Sequence, residues 1–156
     1  MIRFLFILLI FITYQSNAHS ADWIFTASGI VDKSGYILPS GNKFEILTGT
    51  YQWTDNLGNY GTSSCKGVVE NDKRGVSLNV LCEGVDQNKF KFYTLYKRNS
   101  SDLSSGAGKK TFVEATGPYK LLVGNECNYA ITYLENVSFT NEKCVLDDKV
   151  IRELKN

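Results

Sequence analysis

Four cysteines place the tightest limit on how this chain can fold: Cys65 and Cys82 stand 17 positions apart, as do Cys127 and Cys144, and strand-like alternation fills both intervals. In an oxidising compartment such a set forms bridges, and the sequence alone allows more than one connectivity. An antiparallel pairing of Cys65 with Cys82 sets Gly67 opposite Val80, Val69 opposite Leu78 and Asn71 opposite Val76, leaving Asp72-Lys73-Arg74-Gly75 as the turn. That register gives the cysteines an apolar face, which a buried cross-strand bridge needs. Pairing Cys127 with Cys144 puts a second turn near Leu134 to Val137, on a hairpin whose cysteine face is less cleanly apolar. A metal site fits the same residues poorly. There is no Cys-x-x-Cys, and the sole histidine, His19, lies near the N-terminus, so neither a zinc site nor any other metal or cofactor is expected.

The compartment is read from the first residues. Arg3 supplies a positive n-region, Phe4 to Ile12 an apolar run, and Ser16-Asn17-Ala18 a small-x-small cleavage site, so residues 1–18 read as a secretory signal peptide. The run is well short of the roughly 20 residues that cross a bilayer, and no later segment could cross as a helix. A secreted or periplasmic protein with no stable membrane anchor is expected, and residues 19–156 are the size of one domain. Loss of Arg3 from a total of 17 basic side chains leaves them balanced against 16 acidic ones. That neutrality argues against nucleic acid or an anionic membrane as partner; oligomeric state is not legible. Asn99-Ser100-Ser101 and Asn136-Val137-Ser138 are glycosylation sequons, of use only in a eukaryotic secretory pathway.

Period-2 alternation recurs from residue 23 onward, and no sustained helical period precedes the last ten residues. Trp23, Phe25, Ala27, Gly29 and Val31 share one face of a first strand, with a long turn over Asp32 to Gly41; Phe44 to Thr50 continue the pattern. Asp55-Asn56-Leu57-Gly58-Asn59 reads as a turn rather than a calcium loop, because it lacks an EF-hand's ligand count. Strands are expected at Tyr60 to Glu70, Val76 to Cys82 and Lys89 to Arg98, the last with Phe90, Phe92, Thr94 and Tyr96 on the core face. Asn99 to Gly108 reads as a Ser/Gly loop, followed by strands at Lys110 to Thr116, Tyr119 to Val123, Cys127 to Leu134 and Val137 to Val145. The tail from Asp147 fits a helical turn or an edge strand equally. The chain is therefore all-β, an antiparallel meander of about eight or nine strands. A closed eight-stranded, lipocalin-like β-barrel with two cross-strand disulfides is favoured over a β-sandwich, since closure removes exposed edges.

The run Gly106-Ala107-Gly108-Lys109-Lys110-Thr111-Phe112, with Gly117-Pro118-Tyr119 beyond it, resembles the glycine-rich segment of the small eight-stranded barrels of the allene oxide cyclase and dirigent type. Ala107 stands where those barrels carry a third glycine, and Phe112 is displaced from its place directly after the lysine. The resemblance implies a barrel with an apolar cavity, and carries over no catalytic residue. The Gly-x-Trp signature of lipocalins is half met, with Ala21 before Asp22-Trp23.

Chemistry is limited by what is missing. Without a histidine in the body of the domain, and with the cysteines oxidised, Ser-His-Asp and Cys-His nucleophiles are unavailable. Glu70, Glu83, Glu114 and Glu126 are the carboxylates that could pair for acid–base work, but each reads more simply as solvated. Lys89-Phe90-Lys91-Phe92-Tyr93 mixes cations with rings, yet alternation separates them onto opposite faces, unlike a single-strand binder. The positive clue is aromatic: Trp23, Trp53, Phe90, Phe92, Tyr96, Tyr129 and Tyr133 could line a barrel interior. The favoured expectation is an exported, non-catalytic barrel binding a small apolar or amphipathic ligand. A structural or interaction module of the envelope or extracellular space, and a pocket-type isomerase or cyclase, are the alternatives.

Overall fold

The computed structural model describes residues 20–155; the expected signal peptide and His19 lie outside them. Eight strands follow one another: β1 (Ser20–Ile37), β2 (Lys43–Asp55), β3 (Tyr60–Asp72), β4 (Gly75–Asp86), β5 (Lys91–Ser100), β6 (Ser105–Ala115), β7 (Glu126–Leu134) and β8 (Val137–Asp147). Each pairs antiparallel with the next and β8 pairs back onto β1, closing the barrel. The expected register of the first stapled hairpin is found, with Cys65 opposite Cys82, Gly67 opposite Val80, Val69 opposite Leu78 and Asn71 opposite Val76. Both bridges, Cys65–Cys82 and Cys127–Cys144, are formed. Two disulfides fit an oxidising environment, and among the described residues no helix is long and apolar enough to cross a membrane.

Several boundaries differ from the sequence reading. β1 runs on to Ile37, so the expected turn over Asp32 to Gly41 shrinks to Leu38–Asn42, where Gly41 takes φ +86. The Ser/Gly loop expected over Asn99 to Gly108 shrinks to residues 101–104, and Gly106 and Gly108 lie inside β6. Tyr119 to Val123 is no strand: Gly117–Leu122 forms a short 3-10 helix with Pro118 in its first turn. An irregularity between β5 and β6 sets Tyr93 against Glu114 and Thr94 against Phe112, leaving Val113 as the extra residue. Val113 and Glu114 therefore both face outward. The tail is helical, as α1 (Asp148–Leu154).

Two apolar clusters fill the barrel. At one end Trp23, Phe25, Trp53, Phe92 and Phe112 pack edge to face, stacked or tilted, and Tyr119, Leu122 and Leu154, from the 3-10 helix and α1, close over them. At the other end Val31, Leu47, Val69, Val76, Leu78 and Val80 pack together, with Leu103 from the β5–β6 connection against them. Rings lie flat across glycines on the inner wall: a Cβ on Gly84 would come within 2.2 Å of the Phe92 ring, and one on Gly29 or Gly49 within 2.7 Å of the Tyr51 ring. Large residues fill the lumen because their neighbours across the ladder have no side chain.

Candidate functional site

Between the two clusters the lumen is incompletely filled. A cavity of about 50 Å³ remains, bordered by Phe25, Tyr51, Tyr96, Tyr129, Tyr133 and Glu142 and floored by the Cys65–Cys82 bridge. Space of that size holds about four waters or one molecule of a few heavy atoms. Of the aromatic residues expected to line the interior, Tyr96, Tyr129 and Tyr133 border this cavity. Trp23, Trp53 and Phe92 are instead buried in the plugged end. Phe90 is displaced altogether: it precedes β5, is 37% exposed, and covers Gly117. Lys89 takes φ 67 beside it, which breaks the alternation that would have turned Phe90 inward.

The charged centre of the barrel was not foreseen. Lys110 and Glu142 form a wholly buried ion pair, and the second Glu142 oxygen accepts the Tyr96 hydroxyl at 2.7 Å. The Lys110 ammonium sits 4.0 Å from the centre of Phe25 and 4.8 Å from Phe112, with Trp23, Phe92 and Tyr96 also within 6 Å. Burial pushes its pKa below the usual lysine range, and Glu142 opposes that shift. The expected acid–base candidates all lie on the outside: Glu70, Glu83, Glu114 and Glu126 are exposed or half-exposed, Glu83 being held by Tyr93 and Lys91 and Glu126 by Lys109. In the Asp55 turn the carboxylate accepts Trp23 Nε1, the Leu57 and Asn59 amides and the Asn59 side chain, so it closes a turn. Among the described residues no group of side chains is arranged to hold a metal.

Arginine also enters the lumen. Arg98 follows Phe92, Thr94 and Tyr96 along the inward face of β5 and is 2% exposed. All three guanidinium nitrogens lack a hydrogen-bond partner, as do the buried Tyr129 hydroxyl and Ser138 Oγ. The Tyr51 hydroxyl faces Ser138 without closing a bond of good geometry.

Five tyrosines, Tyr51, Tyr96, Tyr119, Tyr129 and Tyr133, have their pKa values raised above 10.0, chiefly by burial. Each is harder to ionise folded than unfolded, so their contribution is complete below pH 10.0 and is lost as pH rises beyond it. Lys110 and half-buried Lys33 act in the opposite sense, favouring the folded state as pH approaches 10.5, but they are two groups against five. We expect the urea midpoint to fall steeply above about pH 10. Tyrosinate absorbance should then rise together with loss of near-ultraviolet circular dichroism; buried tyrosines ionising well before that loss would contradict the assignment.

No protein-family model matches this sequence, and no curated protein matches it significantly.

Proposed function

We propose that this chain is an exported, non-catalytic barrel that retains a small guest in the tyrosine-walled chamber of its lumen. The observation that carries this reading is the cavity itself, a partly open space with hydroxyl-bearing walls in an otherwise packed interior. Its volume narrows the guest to a few heavy atoms. The chemistry of the walls supports binding over turnover: the cysteines are all bridged, and the one buried carboxylate at the chamber has both oxygens engaged, by Lys110 and Tyr96. An isomerase or cyclase would need that carboxylate or a tyrosinate free to move a proton.

A second reading, an interaction module, is favoured by one observation. The hairpin joining β1 to β2 exposes Tyr36 (76%), Ile37 (72%), Leu38, Phe44 and Ile46 together, an apolar patch of the kind that marks contact surfaces. Native mass spectrometry of the protein recovered from its own compartment separates the two. A guest in the lumen predicts a small non-covalent mass increment that disappears in an Ala27→Leu variant, whose side chain would grow into the chamber. A bare monomer mass in both proteins overturns the guest reading. A dimer mass abolished by Tyr36→Ser with Ile37→Ser would point to the hairpin instead.

A further inference from the structure

The glycine pair of β6 explains how an arginine can occupy the lumen. A Cβ on Gly106 would lie 2.9 Å from Arg98 Cδ and 3.0 Å from Nη1, and one on Gly108 would lie 2.7 Å from the Tyr129 ring. The two glycines clear the inner wall for these two side chains. A buried guanidinium with nothing to bond is costly, because its hydration is lost without replacement. Among the described residues no carboxylate reaches it. Asp102 feels the guanidinium's charge but sits on the exposed β5–β6 connection, where its oxygens accept the Ser104 amide and hydroxyl. Half-buried Lys33, over the Tyr133 ring at 5.0 Å, adds a second cation, and its pKa is lowered by burial first and by Arg98 among the charges near it, while Glu45 raises it.

Resting on the guest reading above, we propose that Arg98, with the Tyr129 hydroxyl, anchors a small oxyanion, a short-chain carboxylate or an inorganic oxyanion, in the barrel lumen. Both groups are buried, donate hydrogen bonds and lack a partner, and the charge of Arg98 is felt at the Tyr129 hydroxyl; an oxyanion accepts from both and neutralises the guanidinium. Tyr129 also borders the chamber, where the apolar remainder of a short carboxylate would fit.

The test is calorimetric titration of the whole protein with propionate, its neutral analogue propanol, and inorganic phosphate, repeated on Arg98→Met and Arg98→Lys. Loss of a charge-assisted bond in Arg98→Met should weaken oxyanion binding by about tenfold to a hundredfold, with partial recovery in Arg98→Lys. Propionate binding without phosphate, or phosphate binding without propionate, identifies the carboxylate or the inorganic form, and either supports the site if lost in Arg98→Met. If propionate and propanol bind alike and Arg98→Met binds both unchanged, the chamber takes guests but the anchor is wrong. If nothing binds to any of the three proteins, the anchor and the guest reading both fall. Should Arg98→Met not fold, Arg98→Lys carries the comparison, since it keeps the charge and loses the fork of donors.

Discussion

Replacing Glu142 with leucine should lower stability by about 3–5 kcal/mol, while adding Lys110→Met to it should restore most of that loss. The asymmetry arises because Glu142 and Lys110 were each removed from water and answer each other inside the barrel. Remove the carboxylate and the ammonium remains surrounded by Phe25, Phe112, Trp23, Phe92 and Tyr96 with no counter-charge. The ring faces supply some compensation, on the order of 1–2 kcal/mol for a desolvated cation, and cannot replace an ion pair. The Tyr96 hydroxyl would lose its acceptor as well, so the single variant also leaves a buried donor unsatisfied. With both charges gone, Met and Leu can fill the same volume, which is commonly neutral or stabilising. Urea unfolding of the wild type, both single variants and the double variant closes the cycle. A double variant no more stable than the worse single one would mean that the pair is not coupled as its geometry requires.

The pair also shows where sequence reasoning succeeds and stops. The first stapled hairpin was legible to the residue, because Val69, Val76, Leu78 and Val80 are buried on the Cys65–Cys82 face and a one-residue slip would have exposed all of them. The second hairpin looked less clean for a reason that was itself the signal. Ser138, Thr140 and Glu142 share the inward face with Cys144 and Leu146, so the bridge already fixed a carboxylate in the lumen. Lys110 is likewise two residues from Phe112, and Arg98 two from Tyr96. Alternation placed all three inward, and the ordinary preference of charged residues for water argued against believing it. What alternation could not supply is partnership: Lys110 and Glu142 lie 32 positions apart and meet only across the intervening β7. The local misreadings have local causes, a left-handed residue at Lys89, an extra residue at Val113 and a proline that turned an expected strand into a 3-10 helix.

Removing the bridges should produce effects of similar size and different character. Each closes the same sequence separation, 17, so restricting the unfolded chain contributes about 3 kcal/mol in either case. Their surroundings differ. Cys127 and Cys144 are 1% exposed within the aromatic cluster, and replacing both with alanine leaves a void among tightly packed rings, adding on the order of 1 kcal/mol. Cys65 and Cys82 border the existing chamber, so the same replacement enlarges a space already present. We therefore expect the Cys127→Ala/Cys144→Ala protein to melt below the Cys65→Ala/Cys82→Ala protein, and the fully reduced chain to approach the limit of folding, since domains of this kind hold only about 5–15 kcal/mol in total. Thermal unfolding followed by circular dichroism gives the ranking. The chamber supplies the second readout: in the Cys65→Ala/Cys82→Ala barrel, carboxylates one or two methylenes longer than the wild type accepts should bind. An unchanged chain-length limit in that variant would place the guest somewhere other than beside this bridge.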